Sequence, residues 1–214
     1  MTGATDRLID TLSRNVTPVR RLRPPLRRAC LWLAVFALIS GLVVAQFASL
    51  HIVMMRAREP VFDVGLAATL VTGCLGVIAA FYLSLPDRSL RWALLPVPSF
   101  IVWWLASGTD CYGNWLEYRD GAWRLGDSGH CFLFILVVGV PLSLALLLAL
   151  RRARPIAPQR VAVVGALGAS SLTAFLLQFF HPFDLTFMDL VIHAIGVAAV
   201  VMVIASRPMR HIIH

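Results

Sequence analysis

The feature that most limits this chain is a sixfold recurrence. Six apolar stretches, read as about residues 29–50, 64–85, 90–107, 131–150, 161–180 and 185–206, are separated by short polar segments. A hydrocarbon core about 30 Å thick takes roughly 20 apolar residues of helix. Inside lipid no water can satisfy backbone donors and acceptors, so uninterrupted apolar runs of this length select helices. Only 14% of the 214 residues are charged and 59% are hydrophobic, whereas a soluble domain is roughly a quarter charged. A water-soluble fold of this size has no interior large enough to hide so much apolar surface. The expected class is therefore all-α: an integral membrane bundle of six transmembrane helices with a short cytoplasmic N-terminal helix. The third stretch is the shortest and carries Pro96 and Pro98, which are expected to kink its inner half. Pro141 is expected to bend the fourth. No internal repeat or inverted symmetry is visible.

Charge orients the bundle. All 19 basic residues are arginine. With the N-terminus placed in the cytoplasm, 15 arginines fall on the inner segments and 4 on the outer loops. The outer four are Arg56, Arg58, Arg119 and Arg124. This is a strong positive-inside bias. It puts both termini in the cytoplasm, and it accounts for the formal charge of +8 without nucleic acid. The first stretch lies behind an arginine-rich leader and is long enough to span, so it reads as a retained helix rather than a cleaved signal. The chain then divides into a tail (1–28), a transmembrane domain (29–206) with an outer loop (108–130), and a C-terminal tail (207–214).

The outer loop is the longest polar run in the interior of the chain, with a cysteine near each end. Cys30 and Cys74 fall within predicted helices and read as small buried apolar residues. Cys111 and Cys131 sit at the outer ends of consecutive helices. In an oxidising compartment a disulfide is their default state; it closes a loop worth roughly 3 kcal/mol in the chain-entropy model. Two readings stay open. The pair is a static staple, or it is a redox- or metal-sensing pair in which His130, next to Cys131, activates a thiol or joins it as a ligand. No resident metal or other cofactor is expected. The rest of the loop is aromatic and rich in glycine. It reads as folded on the outer surface, with Trp103 and Trp104 anchoring the helix below at the headgroup layer.

The tail predicts a helix from Thr5 or Asp6 to about Asn15, with Leu8, Ile9, Leu12 and Val16 on one apolar face. Thr17-Pro18 ends it, and Pro24-Pro25 breaks the chain before the membrane. Isolated helices this short are marginal in water, so the face wants a partner or the bilayer surface. Clustered arginines beside a span also attract anionic lipid. Near the outer face, Pro182 makes a turn and Asp184 is placed to cap the sixth helix. His193 lies about two turns into the membrane. It reads either as a neutral histidine bonded to a neighbouring helix or as part of a relay with His181 and Asp184.

Several of these segments together resemble the NrsF family of bacterial membrane anti-sigma factors. They are LIDTLSRNVTPVRRLRPP in the tail, SLPDRSLRWALLP at an inner turn, CYGNWL and HCFLFI around the outer cysteines, and HPFD at an outer turn. Pro86-Asp87 departs from the Pro-Gly expected at that turn. The resemblance implies a multi-pass protein of the bacterial inner membrane that is not an enzyme and does not itself bind nucleic acid. It implies an extracytoplasmic-function sigma factor as partner, alongside membrane lipids, released under oxidative or heavy-metal stress sensed by Cys111 and Cys131. The docking surface would then be the tail around Leu8, Ile9, Leu12, Arg20, Arg21, Leu22 and Arg23, together with the inner loops 86–91 and 151–160.

Two other functions compete. A membrane thiol–quinone oxidoreductase would use the outer cysteines but ordinarily needs a closely spaced pair such as CxxC, and none is present. A small proton- or metal-coupled transporter would use His193 and Asp184. The orientation itself is testable. Reporter fusions following Arg20 and His214 are expected to be active only in cytoplasmic form, and a fusion at Trp115 only in exported form; Arg20 and Trp115 reporting from one side would overturn the topology.

Overall fold

The computed structural model describes residues 2–14, 22–48, 53–55, 57–117, 128–180 and 187–205. Seven long helices organise them: α1 (Thr2–Arg14), α2 (Pro25–Phe47), α3 (Pro60–Leu83), α4 (Val97–Glu117), α5 (Ser128–Arg151), α6 (Pro158–Leu177) and α7 (Phe187–Ala205), with a 3-10 helix at Leu90–Leu94 before α4. No strand occurs among the described residues. Five segments are long and apolar enough to cross a membrane, and the apolar part of α7 (Leu190–Ile204) is a shorter one. The six stretches of the sequence thus become α2 to α7.

Prolines start these helices. Pro25, Pro60 and Pro158 each occupy a first-turn position of α2, α3 and α6, where a missing N–H costs nothing because no intrahelical acceptor exists for it. The same rule corrects the third span. Pro96 and Pro98 do not kink a helix running from Leu90. The chain forms a 3-10 turn with Ser89 as its cap, turns at Leu95 and buried Pro96, and begins α4 at Val97. Pro98 falls in the first turn of α4, where its ring meets no preceding turn. The helix therefore extends further at its other end, past Cys111 to Glu117. Since α5 begins at Ser128, much of the predicted outer loop is helix. Pro141 lies within α5, which continues through it.

The centre of the bundle is the pair α3 and α6, which share the most extensive contact, and α6 is the most buried span. Their crossing is made by glycine. A Cβ built on Gly76 would stand 2.7 Å from Gly168 Cα, and one on Gly168 would stand 2.8 Å from Val77 N. Lipid tails are as apolar as leucine, so association of helices in a bilayer relies on close packing, and small residues allow it. Around this pair α4 packs on α3, α5 packs on α6, and α7 packs on both α5 and α6. Gly139 meets Val200 and Gly196 meets Ile135, so α5 and α7 also approach through glycine. Buried threonine hydroxyls bond back to the preceding turn of their own helices. Thr72 Oγ1 donates to Ala68 O at 2.7 Å and Thr173 Oγ1 to Ala169 O at 3.0 Å. The Thr72 and Ser99 hydroxyls, 2.9 Å apart, link α3 to α4.

α2 stands apart. Only 6% of its most apolar window is buried, and its main partner is α3. Cys30 is exposed on it; the expectation that both intrahelical cysteines are buried fails there, because so peripheral a helix turns most of its surface outward. Cys74, on α3, is half-buried.

Substitution at the central crossing tests this arrangement. Gly168→Val is expected to overpack the α3–α6 contact and destabilise by about 1–3 kcal/mol or more, read as a lower midpoint in detergent thermal unfolding. Gly41→Ala, whose Cβ meets nothing within 4 Å, is expected to leave the midpoint unchanged.

Candidate functional site

The bundle has two poles. At one, the start of α2, the end of α3 and the end of α5 come together, as the contacts of Arg28 with Phe81 and Ala149 show; this is the arginine-rich pole. At the other, the start of α3, the second half of α4 and Gln178 after α6 enclose a small cavity; this is the cysteine pole.

At the cysteine pole, Trp103, Ser107 and Cys111 recur every four residues, on one face of α4. All three are buried, Cys111 to 1% exposure. Trp103 and Ser107 line the cavity with Phe62, Gly65 and Gln178. Its volume of about 10 Å³ is near the lower limit for one water molecule. Gln178 Oε1 is buried there without a hydrogen-bond partner among the described residues. Cys111 thus continues the packed face of α4 one turn beyond this cavity, while Tyr112 beside it is exposed. Trp103 packs inward and Trp104 faces outward, so of the two only Trp104 suits a headgroup anchor.

His130 and Cys131 fall in the first turn of α5, but their side chains lie outside the described residues, as do His181 and Asp184. α4 and α5 are consecutive in sequence but are not among the principal packed pairs; α7 touches both. His193 is 4% exposed. It shares a buried stripe of α7 with Gly196, Val200 and Ile204, and the contacts of Gly196 and Val200 turn that stripe toward α5. Among the described residues no group of three or more His, Cys, Asp or Glu is arranged to hold a metal ion.

The tail helix α1 begins at Thr2, three or four residues earlier than the capping pattern suggests. Leu8, Ile9 and Leu12 are 59%, 58% and 59% exposed, and every side chain described on α1 is exposed. Leu22 and Arg23 are exposed outside any helix before Pro24, while Val16, Arg20 and Arg21 lie outside the described residues.

The arginine-rich pole contains a cluster that sequence reading took only as topological charge. Arg28 Nη2 donates to Ala149 O at 2.7 Å, bridging α2 to the last turn of α5. Its guanidinium also sits 5.1 Å from the centroid of the Phe81 ring on α3, within cation–π range. Nearby, Tyr82 stacks on Trp92 at 4.0 Å, and Arg88 lies 5.7 Å from the Tyr82 ring. Nothing local in the sequence marks Arg28 for this role, because its acceptor is 121 residues away.

Burial gives the cysteine pole a testable property. With the protein reduced, Cys111 is expected to react with a water-soluble maleimide at least about tenfold more slowly than a cysteine placed at Tyr112, since labelling then requires local opening of α4. Comparable rates would contradict its burial.

The sequence model of the NrsF family, described as negative regulator of sigma F, matches residues 12–209, nearly the whole chain. The match begins at Leu12, within α1. No curated protein and no solved structure matches.

Proposed function

Because the chain belongs to the NrsF family, negative regulators of sigma F, we propose that it holds an extracytoplasmic-function sigma factor at the bacterial inner membrane through its tail. The observation that carries this reading is the apolar face of α1, exposed among the described residues. Leu8, Ile9 and Leu12 recur at helical spacing and are more than half exposed. A short amphipathic helix is the ordinary ligand of a hydrophobic groove. Arg20, Arg21, Leu22 and Arg23 would follow it into the acidic surroundings of such a groove. The positive-inside distribution supports placing this tail, and both termini, in the cytoplasm.

The proposed signal is oxidation or heavy metal at Cys111 and Cys131, with His130 tuning the second thiol. Burial of Cys111 supports a sensor that responds when the outer end of α4 opens rather than a freely reacting surface thiol. One disulfide supplies about 2–4 kcal/mol, whereas driving a two-state switch from 1:99 to 99:1 takes about 5.5 kcal/mol. The response is therefore graded, or the outer loop refolds with the bond, or metal coordination or mass action on the sigma factor adds the remainder.

The tail is tested in the full-length protein. Leu8→Asp with Leu12→Asp removes two apolar contacts, each worth about 1.5–3 kcal/mol if fully buried. It is expected to weaken co-purification of the sigma factor more than tenfold and to switch on its target promoters, with membrane insertion unchanged. Undiminished binding would refute tail docking. Separately, Cys111→Ser with Cys131→Ser is expected to abolish induction by oxidant while preserving resting repression. Induction that persists removes the cysteines from the signal without touching the docking surface.

A further inference from the structure

The cluster at the arginine-rich pole opens into an unfilled cleft. α2 leans on α3 but leaves a gap of about 440 Å³ toward α5. Arg28 and Arg152 line its polar end, and Leu31, Trp32, Val35 and Leu148 its apolar wall. Among the described residues no carboxylate lines it. Arg28 has one guanidinium nitrogen satisfied by Ala149 O, while Nη1 is buried without a hydrogen-bond partner among the described residues. Two cations face one cleft, one of them with a buried, unused donor, and an anion there would relieve both.

We propose that this cleft binds an anionic phospholipid, its headgroup phosphate held between Arg28 and Arg152 and an acyl chain lying along Leu31, Val35 and Leu148. The shape of the site selects a lipid over a soluble phosphate. The cleft is open, its wall is apolar below the arginines, and Leu31 and Val35 are exposed on the outer side of α2. The bilayer reaches such a surface directly, whereas a soluble anion would use only the polar end. A planar guanidinium fork pairs with the phosphate of either headgroup, but the choline of a zwitterionic lipid brings its own positive charge toward the two arginines, whereas glycerol brings none. The occupant would fill the space between the helix that carries the tail and the end of α5. The site stands on its own geometry and does not depend on what the tail binds.

The test uses the full-length protein in detergent, with native mass spectrometry against phosphatidylglycerol and phosphatidylcholine. Phosphatidylglycerol is expected to bind in preference. Arg152→Gln, at an exposed position, is expected to weaken it about fivefold, the usual effect of one basic residue near anionic lipid. Arg91→Gln, at an exposed position outside the cleft, is expected to leave it unchanged. Arg28→Gln is expected to weaken it further. Should that variant fail to fold, the wild type supplies an independent measure: phosphatidylglycerol with brominated acyl chains is expected to quench a tryptophan component that Trp32→Phe removes. Equal binding of the two lipids, retention of full affinity in Arg152→Gln, or quenching that survives Trp32→Phe would overturn the proposal. So would complete displacement by millimolar inorganic phosphate, which would leave a phosphate site without a lipid.

Discussion

The contact of Gly76 on Gly168 sets the distance between α3 and α6, and the other helices of the bundle are arranged around that distance. In water the hydrophobic effect would press these helices together whatever their surface. In lipid it contributes little between apolar faces, so the pair depends on how closely two backbones can approach. A Cβ on either glycine would fall inside 3 Å of the opposite backbone, closer than a side chain can sit. The crossing brings Leu172 against Gly73, α5 lays Leu146 against Gly165, and the large buried side chains Phe81, Leu146, Leu150 and Leu172 belong to one core.

Against that core α2 is loosely held, which has a consequence for a regulator. The helix that continues directly into the tail is the least buried span. Its attachment to the rest of the bundle includes the contact with α3 and the Arg28 bridge to α5. A charge-assisted bond of this kind is worth about 1.5–3 kcal/mol. An element held by a few such contacts can be re-positioned by modest free energies, whereas moving α3 against α6 would disturb the whole core. On the proposed reading, a change at the cysteine pole would reach the tail through α2 or the ends of α4 and α5, and the α3–α6 pair would act as a fixed frame.

The cysteine pole illustrates why consecutive helices are not always neighbours. Antiparallel order in the sequence suggests that α4 and α5 lie side by side, with Cys111 and Cys131 at adjoining ends. The principal packing runs otherwise: α4 rests on α3, α5 on α6 and α7, and α7 touches α4 as well as α5. Cys111 accordingly faces inward on the same stripe as Trp103 and Ser107. Sequence position identifies which cysteines fall at one end of the bundle, but which wall a cysteine such as Cys111 faces depends on the packing order.

Much was legible before any fold was seen. The six apolar stretches, the amphipathic face of Leu8, Ile9 and Leu12, and the arginine asymmetry are all local in the chain, so composition and period are enough to find them. The start of the third helix is not legible in this way. Pro96 and Pro98 fit either a kinked helix or a helix start, and only the 3-10 turn at Leu90–Leu94 distinguishes the two. Arg28 and Arg152 looked like topological charge because their meeting is a long-range event. What the sequence determined alone is that this chain must live in lipid as a set of helices, since its apolar runs have no other solvent. What tertiary structure decided is which helices touch: glycines at matching depths on α3 and α6 allow an approach that no local pattern encodes. That choice left α2 at the edge with a charged cleft beside it.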